Sequence, residues 1–173
     1  NLKVSSDSSS LFSDSDVMLD FTLPEQTVEH ATIAADIGTP LVIGTTGTTT
    51  EQDEAIARKA DKIAIMRAAN MSIGVNLLLQ AVQQAATILG DNFDVEILEM
   101  HHKHKVDAPS GTALALGRAV AQGRNVDHDS VSERGRDGIT GERLRGNIGY
   151  AVLRGGNVAG DHTVIFAAEN ERI

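Results

Sequence analysis

The chain has 173 residues, 41% of them hydrophobic, enough to bury the core of one large domain or two small ones. It contains no cysteine, which excludes disulfide staples, thiolate metal sites and a cysteine nucleophile, and 3% aromatic residues leave little for stacking single-stranded nucleic acid. The net charge of -9 is uneven: five basic against fifteen acidic residues up to position 100, then ten against nine, a balance better suited to a small anionic ligand than to a polyanion. The first sixteen residues carry seven serines and three aspartates. They are expected to form a poorly ordered end, and neither a secretion leader nor a membrane-spanning run is expected.

Val17 to Thr22 reads as a short apolar strand, with Thr22 as N-cap and Pro24 as early residue of a helix that ends at Gly38. Leu41 to Gly44 is a second apolar strand, Gly44-Thr45-Thr46-Gly47 a turn, and residues 50–60 a helix with acids early and bases late, as the helix dipole favours. Ile63 to Met66 is a third strand. Short apolar runs alternating with helices predict βα units and a parallel sheet covered on both faces. Residues 1–71 are therefore expected to be part of a Rossmann-like domain, and residues 72–173 a second, α+β domain. In the latter, residues 73–89 are the longest helix candidate, closed by Gly90. Asp94 to Met100 alternates polar and apolar, the pattern of a half-buried strand. A loop over 101–110, a helix over Thr112 to Gln122, and alternating strands over Asn147 to Leu153 and Asp161 to Ala168 complete an antiparallel or mixed sheet.

The stretch richest in chemistry is Glu99-Met-His-His-Lys-His-Lys-Val-Asp-Ala-Pro-Ser-Gly-Thr-Ala113. Three readings compete. It can be a solvated basic loop. It can be a metal site of His101, His102 and His104, although consecutive residues diverge and Lys103 and Lys105 repel a cation. Or it can be an anion site with a proton donor, in which Ser110 caps a helix, the N–H groups of Gly111 and Thr112 hold a carboxylate, and Lys105 with a histidine moves a proton. Gly44 to Gly47 and Ala68-Ala69-Asn70-Met71 follow parallel strands, at the edge where open α/β sheets bind ligands, though each also reads as an ordinary turn. No G-x-G-x-x-G fingerprint occurs. Asp20 reads as satisfied at a strand end, the arginines between 134 and 154 as mostly solvated, and His162 as an interface residue.

Glu-x-His-His-x-x-Lys-x-Asp-Ala-Pro-Ser-Gly-Thr-Ala resembles the signature of the dihydrodipicolinate reductases, also called 4-hydroxy-tetrahydrodipicolinate reductases. Asp20-Phe21-Thr22 with Pro24, Gly44 to Gly47, Asn70 to Asn76, Arg134-Gly135-x-x-Gly138, Gly141-Glu142-Arg143 and Gly160-Asp161-His162 follow in the family's order. The resemblance implies a cytoplasmic homotetramer of the diaminopimelate route to lysine that uses NADH or NADPH to reduce a cyclic imine dicarboxylate. It makes His101 and Lys105 the catalytic acid/base and proton donor. His102, Ser110, Gly111 and Thr112 become the substrate site, and Phe21, Gly44, Thr45, Thr46, Ala68, Ala69, Asn70 and Met71 the dinucleotide site, with no metal. Met71 and Leu23 depart from the aromatic and basic residues common there. The family's Gly-rich pyrophosphate turn and its final helical return are absent, so a chain truncated at both ends is expected. Absence of cysteine argues against a semialdehyde dehydrogenase. A non-catalytic dicarboxylate-binding or oligomerisation module is the other reading.

Overall fold

In a computed structural model that describes residues 4–173, the chain divides into two compact units, Asn1–Met71 and Ser72–Ile173.

The first unit is built on three parallel strands, β1 (Met18–Asp20), β2 (Leu41–Ile43) and β3 (Ile65–Arg67), in that order across the sheet. Their register sets Met18 beside Leu41 and Leu41 beside Ile65, so Asp20, Ile43 and Arg67 end the strands along one edge. Helix α2 (Pro24–Ile37) makes the first crossover, with Pro24 in its opening turn and Gly38, at φ 92°, as its left-handed cap; its N-cap is Leu23 and not the expected Thr22, whose hydroxyl instead donates to Asp20. Helix α3 (Thr50–Ala57) makes the second and is started by a reciprocal capping box between Thr49 and Gln52. Strand β3 begins later than the Ile63 expected. Ile63 is buried in the core ahead of the ladder, and pairing with β2 starts only at Ile65.

The serine-rich start is also corrected. Ser8–Ser13 forms a helix, α1, capped by the Asp7 side chain accepting from the Ser10 N–H. Its anchor is Phe12, 2% exposed, packed with Ala31, Ala34 and Leu41 and held further by the Thr39 hydroxyl donating to its carbonyl at 2.8 Å. Burying one phenyl ring contributes roughly 2–3 kcal/mol, enough to order a short segment whose composition alone favours disorder.

The second unit starts with α4 (Ile73–Leu89), capped by Ser72. Its sheet has the order β5 (Ser132–Glu133), β6 (Ile148–Arg154), β4 (Asp94–His101), β7 (Asp161–Ala167), and it is mixed: β4 runs parallel to β6 and antiparallel to β7. The helix α5 (Gly111–Arg124) runs two residues past the predicted end and stops at Asn125 in a left-handed conformation, φ 54°. A short helix α6 (His128–Val131) follows. Residues Ile73–Asn92 are long and apolar enough to cross a membrane by length and composition; within this segment only Val82 and Ala86 are buried, packed with Leu116 and Val120 of α5 and Val95 and Ile97 of β4. The helices approach closely because a Cβ on Gly123 would run into the Gln83 carbonyl and stand 3.0 Å from the Ala86 methyl.

Of the arginines between 134 and 154, Arg134, Arg136 and Arg145 are exposed, as expected of most of them, whereas Arg143 and Arg154 are largely withdrawn from solvent. Arg143 has a side chain only 19% exposed and donates to Asp94 at 2.7 Å, to Glu96 at 3.0 Å and to the carbonyls of Val95 and Asn147. Arg136 forks onto Glu96 and Glu133. The connection folds back over the sheet face opposite the helices, and these guanidinium groups lock it there.

Candidate active site

Strand β4 carries its chemistry by simple periodicity. Val95 and Ile97 point into the helix-covered core, and two and four residues on, the same phase delivers Glu99 and His101 to that side; all four are buried. A carboxylate placed there must be matched by donors. Glu99, 1% exposed, accepts the Ser110 backbone N–H at 2.8 Å and the Arg154 guanidinium at 3.2 Å through Oε1. Burial opposes its ionisation, but the Ser110 and Arg154 hydrogen bonds prevail and hold its carboxyl below the usual 4.5. Its Oε2 lies 2.6 Å from His101 Nδ1, and neither atom makes an aligned hydrogen bond to any described residue, the other included.

Both neighbouring strands feed the same cluster. Arg154 of β6 is in register with His101, and its guanidinium also donates to the Asp107 carbonyl at 2.7 Å, fastening the 101–110 loop to the sheet. His162 of β7 is in register with Glu99. Its Nε2 is 3.0 Å from Ser110 Oγ and 4.0 Å from Glu99 Oε2, and its ring meets that of His101 edge-on at 5.1 Å. Burial first, and the neighbouring His101 second, push the His162 pKa below 6.5, so it is neutral at physiological pH. On the far side of the His101 ring is Gly160, at φ +153°, where an added Cβ would stand 2.8 Å from Nε2.

Ser110 joins this cluster to α5. Its hydroxyl accepts from the Ala113 N–H at 3.2 Å and caps the helix whose first residues are Gly111 and Thr112. Lys105 is held by Asp107, Nζ to Oδ1 2.8 Å, and its N–H donates to the His102 carbonyl. His102 is half-buried and lies 6.2 Å, ring to ring, from the exposed His104. Among the described residues, the ring nitrogens of His101, His102 and His104 do not converge as one ligand set. The atoms of Glu99, His101 and His162 do lie within 4.8 Å of one another, spacing that a cation could use, but Arg154 already neutralises the carboxylate and Ser110 engages His162.

In the first unit, Phe21, Gly44 to Thr46 and Ala68 to Met71 follow the carboxyl ends of β1, β2 and β3 in turn. The Phe21 ring is 65% exposed and lies against Gly44, where any Cβ would overlap it; Met71 is 39% exposed. The Thr45 side chain, by contrast, turns inward to Thr27 at 2.8 Å and to the Thr22 carbonyl, and the residue is buried. Asp20 is buried and bonded to the Thr22 N–H, the Thr22 hydroxyl and His30. Sequence reasoning did not single out Glu99, Arg154 or His162 as parts of the site. Glu99 carried a signal, a charge on the buried phase of a strand; the other two needed the register of β6 and β7.

Comparison with known proteins follows the same division. Residues 74–173 match the family model described as Dihydrodipicolinate reductase, C-terminus, and residues 1–71 the one described as Dihydrodipicolinate reductase, N-terminus. The 4-hydroxy-tetrahydrodipicolinate reductase of Bradyrhizobium sp. (strain ORS 278) is 53% identical over 173 residues, all of this chain and 64% of that protein. The enzyme of the same name from Parvibaculum lavamentivorans is 54% identical over 99% of this chain and 64% of its own length. The chain thus spans about 64% of the length of these curated relatives. A solved structure, the dipicolinate-bound dihydrodipicolinate reductase from Paenisporosarcina sp. TG-14, superposes with a TM-score of 0.68 at 30% identity, covering 100% of this chain and 68% of that one. The chain belongs to the dihydrodipicolinate reductase family.

Proposed function

We propose that this chain carries the substrate-reducing machinery of a 4-hydroxy-tetrahydrodipicolinate reductase, which reduces its cyclic dicarboxylate substrate to tetrahydrodipicolinate with NADH or NADPH in diaminopimelate and lysine biosynthesis. The observation that carries this reading is the buried Glu99–His101 pair set beside the N-terminus of α5 and the Lys105 loop. A doubly anionic ring needs just such surroundings. The first turn of α5, with Gly111 and Thr112, together with His102 receives carboxylates by backbone donors and helix dipole. Lys105 adds a positive charge and a transferable proton, and His101 holds or delivers a proton to the carbon next to the reduced centre. The dipicolinate bound to the similar solved structure is a planar pyridine dicarboxylate, a stand-in for that substrate ring.

The carboxyl edge of the parallel sheet suits a nicotinamide dinucleotide: an outward Phe21, its ring laid over Gly44, and an outward Met71 offer a flat, partly apolar ledge. Phe21, Gly44, Thr46, Ala68, Ala69, Asn70 and Met71, with the backbone of Thr45, are the residues that would hold it. When bound, the nicotinamide supplies the hydride. The same reading makes the protein a cytoplasmic homotetramer. In its support, the sheet face opposite α4 and α5, with Leu98, Met100 and Leu153, leaves Leu153 about half exposed at 49%.

The test is oxidation of NADH and of NADPH by the full-length protein with freshly generated substrate. Turnover that falls at least about 100-fold in His101→Ala and in Lys105→Ala is expected. No turnover by wild type, or full rates in both variants, overturns the reading. Pyridine-2,6-dicarboxylate binding by a protein that oxidises neither nucleotide would make it a binding module instead.

A further inference from the structure

Resting on that functional reading, we propose that Glu99 is the positioning residue of His101: a buried carboxylate that fixes which imidazole nitrogen carries the proton and so which one is presented for chemistry. Three observations converge on it. First, His101 Nδ1 and Glu99 Oε2 are each buried and 2.6 Å apart, and neither makes an aligned hydrogen bond to any described residue, the other included. A separation that short leaves no place for water between them, so a small rotation of the ring that brings the Nδ1–H onto Oε2 is what satisfies both.

Second, Glu99 cannot turn away. Its other oxygen is held by the Ser110 N–H and by Arg154, and Arg154 is itself anchored on the Asp107 carbonyl. Those bonds keep the carboxyl ionised despite its burial. An ionised carboxylate accepts only, so the facing Nδ1 must be the N–H, and Nε2 becomes the nitrogen free to exchange a proton. Third, the opposite side of the ring is set by Gly160, which has no Cβ to fill the space 2.8 Å from Nε2. Glu99 and Gly160 therefore bracket the ring, one through a charge and the other through the lack of a side chain. Glu99 itself needs no contact with substrate.

The test compares Glu99→Gln and Glu99→Asp in the full-length enzyme with three readouts: kcat against KM, pyridine-2,6-dicarboxylate affinity, and the His101 tautomer from long-range ¹H–¹⁵N spectra. Glu99→Gln is expected to lower kcat by about 100-fold while KM and dicarboxylate Kd stay within about threefold. The Nδ1–H signature should become a mixture of tautomers, because a carboxamide can donate or accept. Glu99→Asp, which keeps the charge, should recover at least about tenfold of that loss and the Nδ1–H signal. Glu99→Gln with kcat within about threefold of wild type, or with an unchanged tautomer, overturns the proposal. If wild type shows no reductase turnover, the functional reading fails separately, and the tautomer comparison alone still decides whether Glu99 positions the ring.

Discussion

Adding one methyl group at Gly160 tests the placement of His101 directly. The added Cβ would stand 2.8 Å from His101 Nε2 and 3.1 Å from Cδ2, closer than carbon and nitrogen tolerate, and the ring cannot retreat because Nδ1 is already 2.6 Å from Glu99. The backbone adds to this, since φ +153° is a region where side chains are strained. Strain of about 1–3 kcal/mol and overpacking of about 1–3 kcal/mol give about 2–6 kcal/mol for Gly160→Ala. Gly156, in the same β6–β7 connection at φ +51°, is the control: a Cβ there meets nothing within 4 Å, leaving only about 1–2 kcal/mol of backbone cost. At the middle of each range, about 4 against about 1.5 kcal/mol, urea denaturation should separate the variants by about 1 M in midpoint, for a slope of about 2 kcal/mol/M. Turnover and the His101 imidazole resonances should change in Gly160→Ala only. Equal midpoints and unperturbed His101 signals in both variants would refute the bracketed ring.

Ser110→Ala removes the α5 cap and the hydroxyl partner of His162, and should cost about 1–2 kcal/mol in denaturant midpoint, with dicarboxylate affinity falling as the helix end frays. His162 has a folded pKa below its unfolded 6.5, so the unfolded chain binds a proton that the folded one resists. Stability should rise with pH in the interval just below 6.5 and reach its full value above it, and His162→Gln should flatten that rise in pH-resolved unfolding curves. Glu99 acts at lower pH: its contribution is complete above 4.5 and is lost as pH falls through its depressed folded value. Arg143→Lys loses the fork that reaches Asp94, Glu96 and two carbonyls, and should destabilise by about 2–4 kcal/mol, measured as a midpoint shift. The single tyrosine, Tyr150, is buried against His128 at 2.7 Å, and burial pushes its phenol up to about 12; absorbance titration should show no phenolate near the ordinary 10.0 until the fold opens.

Much of this protein is legible along the chain because its information is local. Apolar runs of strand length, Pro24 and Gly38 around α2, the Thr49/Gln52 box, Ser72 and Ser110 as caps and the alternation from Asp94 onward depend on neighbours within about four residues, and the corresponding elements form there, with β3 and α5 shifted by two residues at one end. The family was legible too, in an uninterrupted signature around His101. Local pattern failed where a distant surface outweighed composition. Phe12 found a pocket among Ala31, Ala34 and Leu41 and ordered a serine-rich helix, and Arg143 was drawn from solvent by carboxylates on β4. The partnership of Glu99 with Ser110, Arg154, His101 and His162 belongs to tertiary structure alone. It depends on β4 pairing with β6 and β7 at one register, and a slip of one residue would turn Arg154 and His162 to the other face of the sheet.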